Sequence, residues 1–108
     1  MTQAKISRDP NGALQLTLTE DRISYEAFPA WCREFLKRYA GDALDRVDGP
    51  DCRVQRIRLL GQELKLVFID FPVETSLLAE TKAAETVLHA VAELEMQAAN
   101  QSTQRTPQ

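Results

Sequence analysis

The residues best placed to do chemistry are Glu85, His89 and Glu93, in the pattern Glu-x-x-x-His-x-x-x-Glu around the single histidine. On a helix, positions four apart share a face, so all three side chains would form one ladder. Such a ladder is a weak candidate for a divalent metal, and an imidazole flanked by carboxylates is a candidate base. The plainer reading is a solvated polar helix face with weak ion pairing, because Glu-rich outer faces are routine.

Little else in the chain announces a reaction. It has no Gly-rich phosphate loop, no strand-turn-Ser elbow, no His-Glu-x-x-His and no Cys-x-x-Cys. Cys32 and Cys52, with one histidine, fall short of a four-ligand metal set unless carboxylates join. They are expected to be a reduced pair of small buried hydrophobes. Trp31 and its aromatic neighbours would suit a ligand pocket, but at helical spacing they are the core side of a helix. Arg53 and Asp70 are expected to form a cross-strand charge pair at the rim of a sheet. Arg56, Arg58 and Lys65 could meet an acidic partner or a phosphate. They equally suit the wet end of a sheet face, where like charges discourage edge pairing. The reading from motifs is therefore no catalytic residue, no cofactor and no dedicated metal site.

The bulk numbers limit the remaining function classes. The chain has 108 residues, which suits one domain. A domain of this length buries roughly two thirds of its unfolded surface and needs no metal or disulfide clamp. No apolar run approaches the roughly 20 residues that span a bilayer, so no membrane partner is expected. The first residues, Met-Thr-Gln-Ala-Lys-Ile-Ser-Arg-Asp, lack a signal-like apolar stretch, and a cytoplasmic setting is expected. A net charge of −3 argues against non-specific nucleic-acid binding, which needs a surplus of Lys and Arg on one face.

The elements that would position these groups can be read from periodicity. Residues 4–8 and 13–19 form a first hairpin: Leu14, Leu16 and Leu18 alternate with Gln15, Thr17 and Thr19, around the turn Asp9-Pro10-Asn11-Gly12. A helix follows, with Ser24 capping an irregular first turn, Pro29 near its start and Gly41 as its stop. Phe28, Trp31, Phe35 and Tyr39 form its inner stripe, with Cys32 and Leu36 beside them. Residues 43–47 read as a short strand or a loop. Residues 52–71 read as a second hairpin turning at Gly61-Gln62. Pro72 takes the chain out of that ladder, and 73–78 is either extended or the first turn of the next helix. From about Glu80 to Ala99 a second helix shows the stripe Ala84, Val87, Leu88, Val91, Leu94 and Ala98. The expected fold is α+β in the order ββαββα, with extra short strands possible at 43–47 and 73–78. Residues 1–99 form the domain, and 100–108 are expected to be a disordered polar tail.

The second hairpin carries the most information. A loop at Gly61-Gln62 sets Leu59 opposite Leu64, Ile57 opposite Leu66, Gln55 opposite Phe68 and Arg53 opposite Asp70. That face is apolar. The other face holds Arg58, Arg56, Val54 and Cys52 with Lys65, Val67, Ile69 and Phe71. A strand apolar on both sides needs cover on both sides. The simplest cover is the C-terminal helix or the 73–78 segment. Uncovered, this face is a candidate contact surface made of Val54, Arg56, Arg58, Lys65, Val67, Ile69 and Phe71.

Tyr25-Glu-Ala-Phe-Pro-Ala-Trp31, Asp48-Gly-Pro-Asp51 and Phe68-Ile-Asp-Phe-Pro72 together resemble small bacterial domains without an assigned function. The resemblance spans about half of the chain. It implies the same architecture and a bacterial setting, and it brings no activity or site residues. The expected function is a non-enzymatic protein-interaction domain, homodimeric or binding a protein partner through the second hairpin. A dedicated partner such as an immunity protein or a secretion chaperone is a second possibility. A metal- or small-ligand-binding enzyme using Glu85, His89 and Glu93 is a third.

Overall fold

The computed structural model describes residues 4–18, 23–70 and 73–104. These form one six-stranded antiparallel sheet and two helices. In chain order they are β1 (Ala4–Arg8), β2 (Leu14–Leu18), α1 (Phe28–Tyr39), β3 (Asp42–Asp48), β4 (Cys52–Leu59), β5 (Gln62–Asp70), β6 (Val73–Ala79) and α2 (Lys82–Gln104). The sheet runs β1-β2-β6-β5-β4-β3, so the first hairpin docks on the last strand.

The α+β class is as expected, but the order is ββαββββα instead of ββαββα. Both ambiguous segments are full members of the sheet. In β6, Thr75, Leu77 and Ala79 are buried toward the helices, as alternation requires, while Ser76 on the opposite side is buried by its sheet neighbours Gln15 and Glu74. Leu78 is apolar on the opposite side and hides that period in the sequence. The chain reverses between β5 and β6, since Asp70 pairs with Val73; Pro72, expected to take the chain out of the ladder, lies outside the described residues.

The first turn follows its sequence. Asp9 Oδ1 accepts the N–H groups of Asn11 (3.0 Å) and Ala13 (2.8 Å), and Gly12 takes φ +90°. In α1, Ser24 Oγ accepts the Ala27 N–H at 3.1 Å, and Pro29 lies in the first turn. The stop of α1 differs from expectation. The left-handed residue is Ala40 (φ 53°), and Gly41 N–H closes the last turn on Leu36 O at 2.9 Å. Gly41 is needed for space. A Cβ there would overlap a Leu59 methyl and lie 2.8 Å from Leu36 Cδ2 and 3.0 Å from Arg58 O.

All inward side chains lie on one face of the sheet. Leu14, Leu16 and Leu18 of β2, Ile57 and Leu59 of β4, Leu64, Leu66 and Phe68 of β5, and Leu77 of β6 form one core with both helices. Helix α1 lies against β3 and β4, and α2 lies against β6, β1, β2 and β5. The aromatic stripe of α1 is continuous: Phe28 to Trp31 at 6.4 Å, Trp31 to Phe35 at 5.5 Å, Phe35 to Tyr39 at 4.9 Å. Phe28 also meets Phe68 of the sheet at 5.7 Å.

Helix α2 departs from the expected stripe at its far end. Ala84, Val87, Leu88, Val91 and Ala92 are buried, while Leu94 is half exposed and Ala98 is exposed. The inward place is taken by Glu95. Its carboxylate accepts the Tyr39 hydroxyl and lies 3.6 Å from Arg38 Nη2, tying α2 to α1. A buried carboxylate needs such partners, which an apolar stripe drawn from α2 alone cannot show. The helix continues past Ala99 to Gln104, and 105–108 lie outside the described residues.

Candidate interaction face

The second hairpin turns at Leu60-Gly61, one residue earlier than expected. Both turn residues have positive φ, 50° at Leu60 and 80° at Gly61. That is the primed turn with two left-handed positions, whose twist matches the strands; a glycine in its first position would belong to a different turn. The ladder therefore sets Leu59 opposite Gln62, Ile57 opposite Leu64, Gln55 opposite Leu66, Arg53 opposite Phe68 and Cys52 opposite Ile69. Every expected pairing moves by two residues. Because side chains alternate with period two, the two faces keep their predicted membership.

One expected pair is lost. Asp70 pairs with Val73, and the Arg53 guanidinium engages Asp48 instead: Nε to Oδ1 at 2.8 Å and Nη2 to Oδ2 at 3.2 Å. Arg53 is buried, donates from Nη1 to Tyr25 O at 2.6 Å, and stacks 4.4 Å from the Tyr25 ring centroid. The Tyr25 hydroxyl reaches Gly49 O at 2.9 Å. This two-pronged pair holds the Asp48 carboxyl below its ordinary range. It fastens the chain before α1 to the β3–β4 turn, so it acts structurally on the helix side of the sheet. Nearby Gln55 is also buried, and its amide donates to Leu44 O (2.9 Å), Asp45 O (3.3 Å) and Arg56 O (2.8 Å). The first two bonds satisfy carbonyls freed where β3 slips register between Ala43 and Arg46.

Among the described residues nothing covers the opposite face. Both helices pack on the other side, and β6 extends the sheet instead of folding over it, which corrects the expectation of cover from α2 or from 73–78. Across it runs the row Val47, Val54, Val67, Ser76, Thr17, each opposite the next on neighbouring strands. The adjacent row is Cys52, Ile69, Glu74. Val47 is 63% exposed and Ile69 40%, with Val54 and Val67 half-buried between them. Phe71, expected beside them, lies outside the described residues. The sequence alone does not place Val47 here, because residues 43–47 suit a strand or a loop equally.

Two polar borders frame these apolar side chains. Toward β2, Glu74 Oε2 accepts from Gln15 Nε2 (3.1 Å), Thr17 Oγ1 (3.2 Å) and Ser76 Oγ (3.2 Å). Toward the β4–β5 turn lie the three expected cations, each with an acid. Arg56 pairs with Asp45 and, at 2.6 Å, with Glu63; Arg58 Nη2 is 3.9 Å from Glu63; Lys65 Nζ is 3.1 Å from Glu80. Glu63 and then Asp45 raise the Arg56 guanidinium above its ordinary value. Because these cations are already matched, they offer little free charge to a phosphate.

Glu85, His89 and Glu93 lie at successive turns of α2, as their spacing predicts. Glu85 is taken by Arg8, at 2.9 Å, which holds its carboxyl below the ordinary range. His89 and Glu93 are exposed on α2. Among the described residues no group of three His, Cys, Asp or Glu side chains is placed to hold a metal ion. The two thiols also differ from the expected buried pair. Cys32 is buried, and desolvation pushes its thiol up to about 12. Cys52 is exposed, on the open face. None of the described helices is long and apolar enough to cross a membrane. Comparison with protein-family models, with characterised proteins and with solved structures found no match.

Proposed function

We propose that this chain is a non-enzymatic protein-interaction domain, and that its contact surface is the sheet face centred on Val54, Val67 and Ile69. The observation that carries this reading is the one-sidedness of the sheet. Both helices stand on one face, while the other presents apolar side chains from four adjacent strands, β3 to β6. Apolar side chains grouped on a surface and rimmed by satisfied polar groups are the usual composition of a contact site. Glu85, His89 and Glu93 share an outer face of α2 with Glu85 engaged by Arg8, which gives no comparable support to an enzyme.

The test is a photo-reactive residue placed at Val67, compared with one at Ala90, which is exposed on α2. In cells producing the protein at its natural level, a discrete adduct from position 67 and none from position 90 is expected. The absence of any adduct from position 67, or equal labelling from both positions, would contradict the reading.

A further inference from the structure

We infer that the occupant of the open face is a second copy of the same chain, stacked sheet against sheet. This inference rests on the contact-surface reading above and adds the identity of the partner.

Charge is the first argument. A two-fold contact sets a surface against itself, so any uncompensated charge near its centre meets its own like. Here the cations that border the apolar rows are matched within the chain, Arg56 by Asp45 and Glu63 and Lys65 by Glu80, and Lys5, unpaired among the described residues, stands on the outermost strand, away from Val54 and Val67. The one carboxylate bordering the apolar rows on the other side, Glu74, accepts three hydrogen bonds. The chain as a whole carries −3, yet this face has no strong sign of its own. An oppositely charged partner would find little to recognise, whereas an identical face would meet no repulsion.

Size is the second argument. Strands of five to nine residues at about 3.3 Å each, six abreast at about 4.8 Å, give a flat face of about 400–700 Å² before side-chain relief is counted. A stable interface buries roughly 800 Å² of accessible surface per partner. The face is thus near the size required of one isologous interface. Stacking would set Val54, Val67 and Ile69 against the same side chains of the second copy at the inter-sheet spacing of about 10 Å.

Cys52 is a built-in reporter, because it stands beside Ile69 on this face while Cys32 is buried in the core. The experiment combines sedimentation equilibrium with the alkylation rate of Cys52 over a concentration series. The mass is expected to rise from one chain to two. The Cys52 rate should fall in step with the monomer fraction. Ile69→Lys, and independently Val54→Lys, should remain monomeric with an unchanged circular dichroism spectrum. A chain that stays monomeric at every concentration overturns the inference. So does a dimer that survives both substitutions with the Cys52 rate unchanged. A monomer that still gives an adduct of another protein from position 67 overturns the dimer alone and leaves the contact surface standing; a monomer with no adduct removes both.

Discussion

Phe68 and Ile69 are neighbours in β5, yet they belong to opposite worlds. Phe68 is fully buried, ringed by Tyr25 and Phe28, while Ile69 stands on the open side at 40% exposure. The same contrast holds along the whole sheet. The helix side is closed by one continuous core that includes both helices, and its polar intruders, Arg53, Gln55 and Glu95, have their partners within the chain. The other side has the charges that border its apolar rows matched, with Lys5 and Asp42 on the outer strands unpaired among the described residues, and its apolar rows unmatched. Burial of apolar surface drives folding, so the first face accounts for the stability of the domain. The second face contributes little to it, and that frees its side chains for another use.

The sharpest way to break this comparison is a pair of truncations. Phe68→Ala should cost about 3–5 kcal/mol in urea unfolding, from lost burial and a residual cavity. Ile69→Ala, one residue away, should cost less than about 1 kcal/mol at low protein concentration. Equal effects would mean that the open face is covered. Gly41→Ala comes next. It forces a methyl into Leu59 and Leu36 and should cost about 1–3 kcal/mol, far more than a surface Gly→Ala change.

Smaller effects sharpen the account. Leu60 holds a left-handed conformation while 77% exposed, so no packing holds a leucine there. Leu60→Gly should raise stability by about 0.5–1 kcal/mol in the same assay, through relief of that strain. Asp48 and Glu85 are held below their ordinary pKa by Arg53 and Arg8, chiefly through hydrogen bonds. Their folded values lie below the unfolded ones. Their stabilisation is therefore complete above the ordinary carboxylate range of about pH 4, and it is lost as pH falls through the depressed values. Unfolding free energies measured from about pH 6 down to about pH 2 should fall more gently for Asp48→Asn than for the parent chain. Finally, in dilute native protein Cys52 should alkylate readily, and Cys32 should react only when urea exposes it, because its thiolate is scarce.

Alternation made the two faces legible before any coordinates. Leu14, Leu16 and Leu18 and the inward set of the second hairpin lie where period two puts them. The faces survived a wrong turn because the displacement was two residues and not one. What escaped depends on contacts distant in sequence. The preference of Arg53 for Asp48 needs the bulged strand β3 beside β4, and the burial of Glu95 needs Tyr39 and Arg38 from the other helix. The pairing of Arg56 with Asp45 likewise depends on a strand that was ambiguous in isolation. The open face itself was half legible. Alternation assigns Val54, Val67 and Ile69 to it, but its lack of cover among the described residues follows from β6 joining the sheet, which Leu78 disguises.

The most direct measurement is urea unfolding of Leu66→Asp and Val67→Asp in dilute solution, where any self-association is absent. Leu66 is fully buried against the helices, and Val67 points the other way. The account predicts that Leu66→Asp abolishes cooperative unfolding, while Val67→Asp keeps a native spectrum and loses at most about 1 kcal/mol, the range of strand preference. If Val67→Asp unfolds the chain as Leu66→Asp does, the face is closed from within and the central claim is wrong.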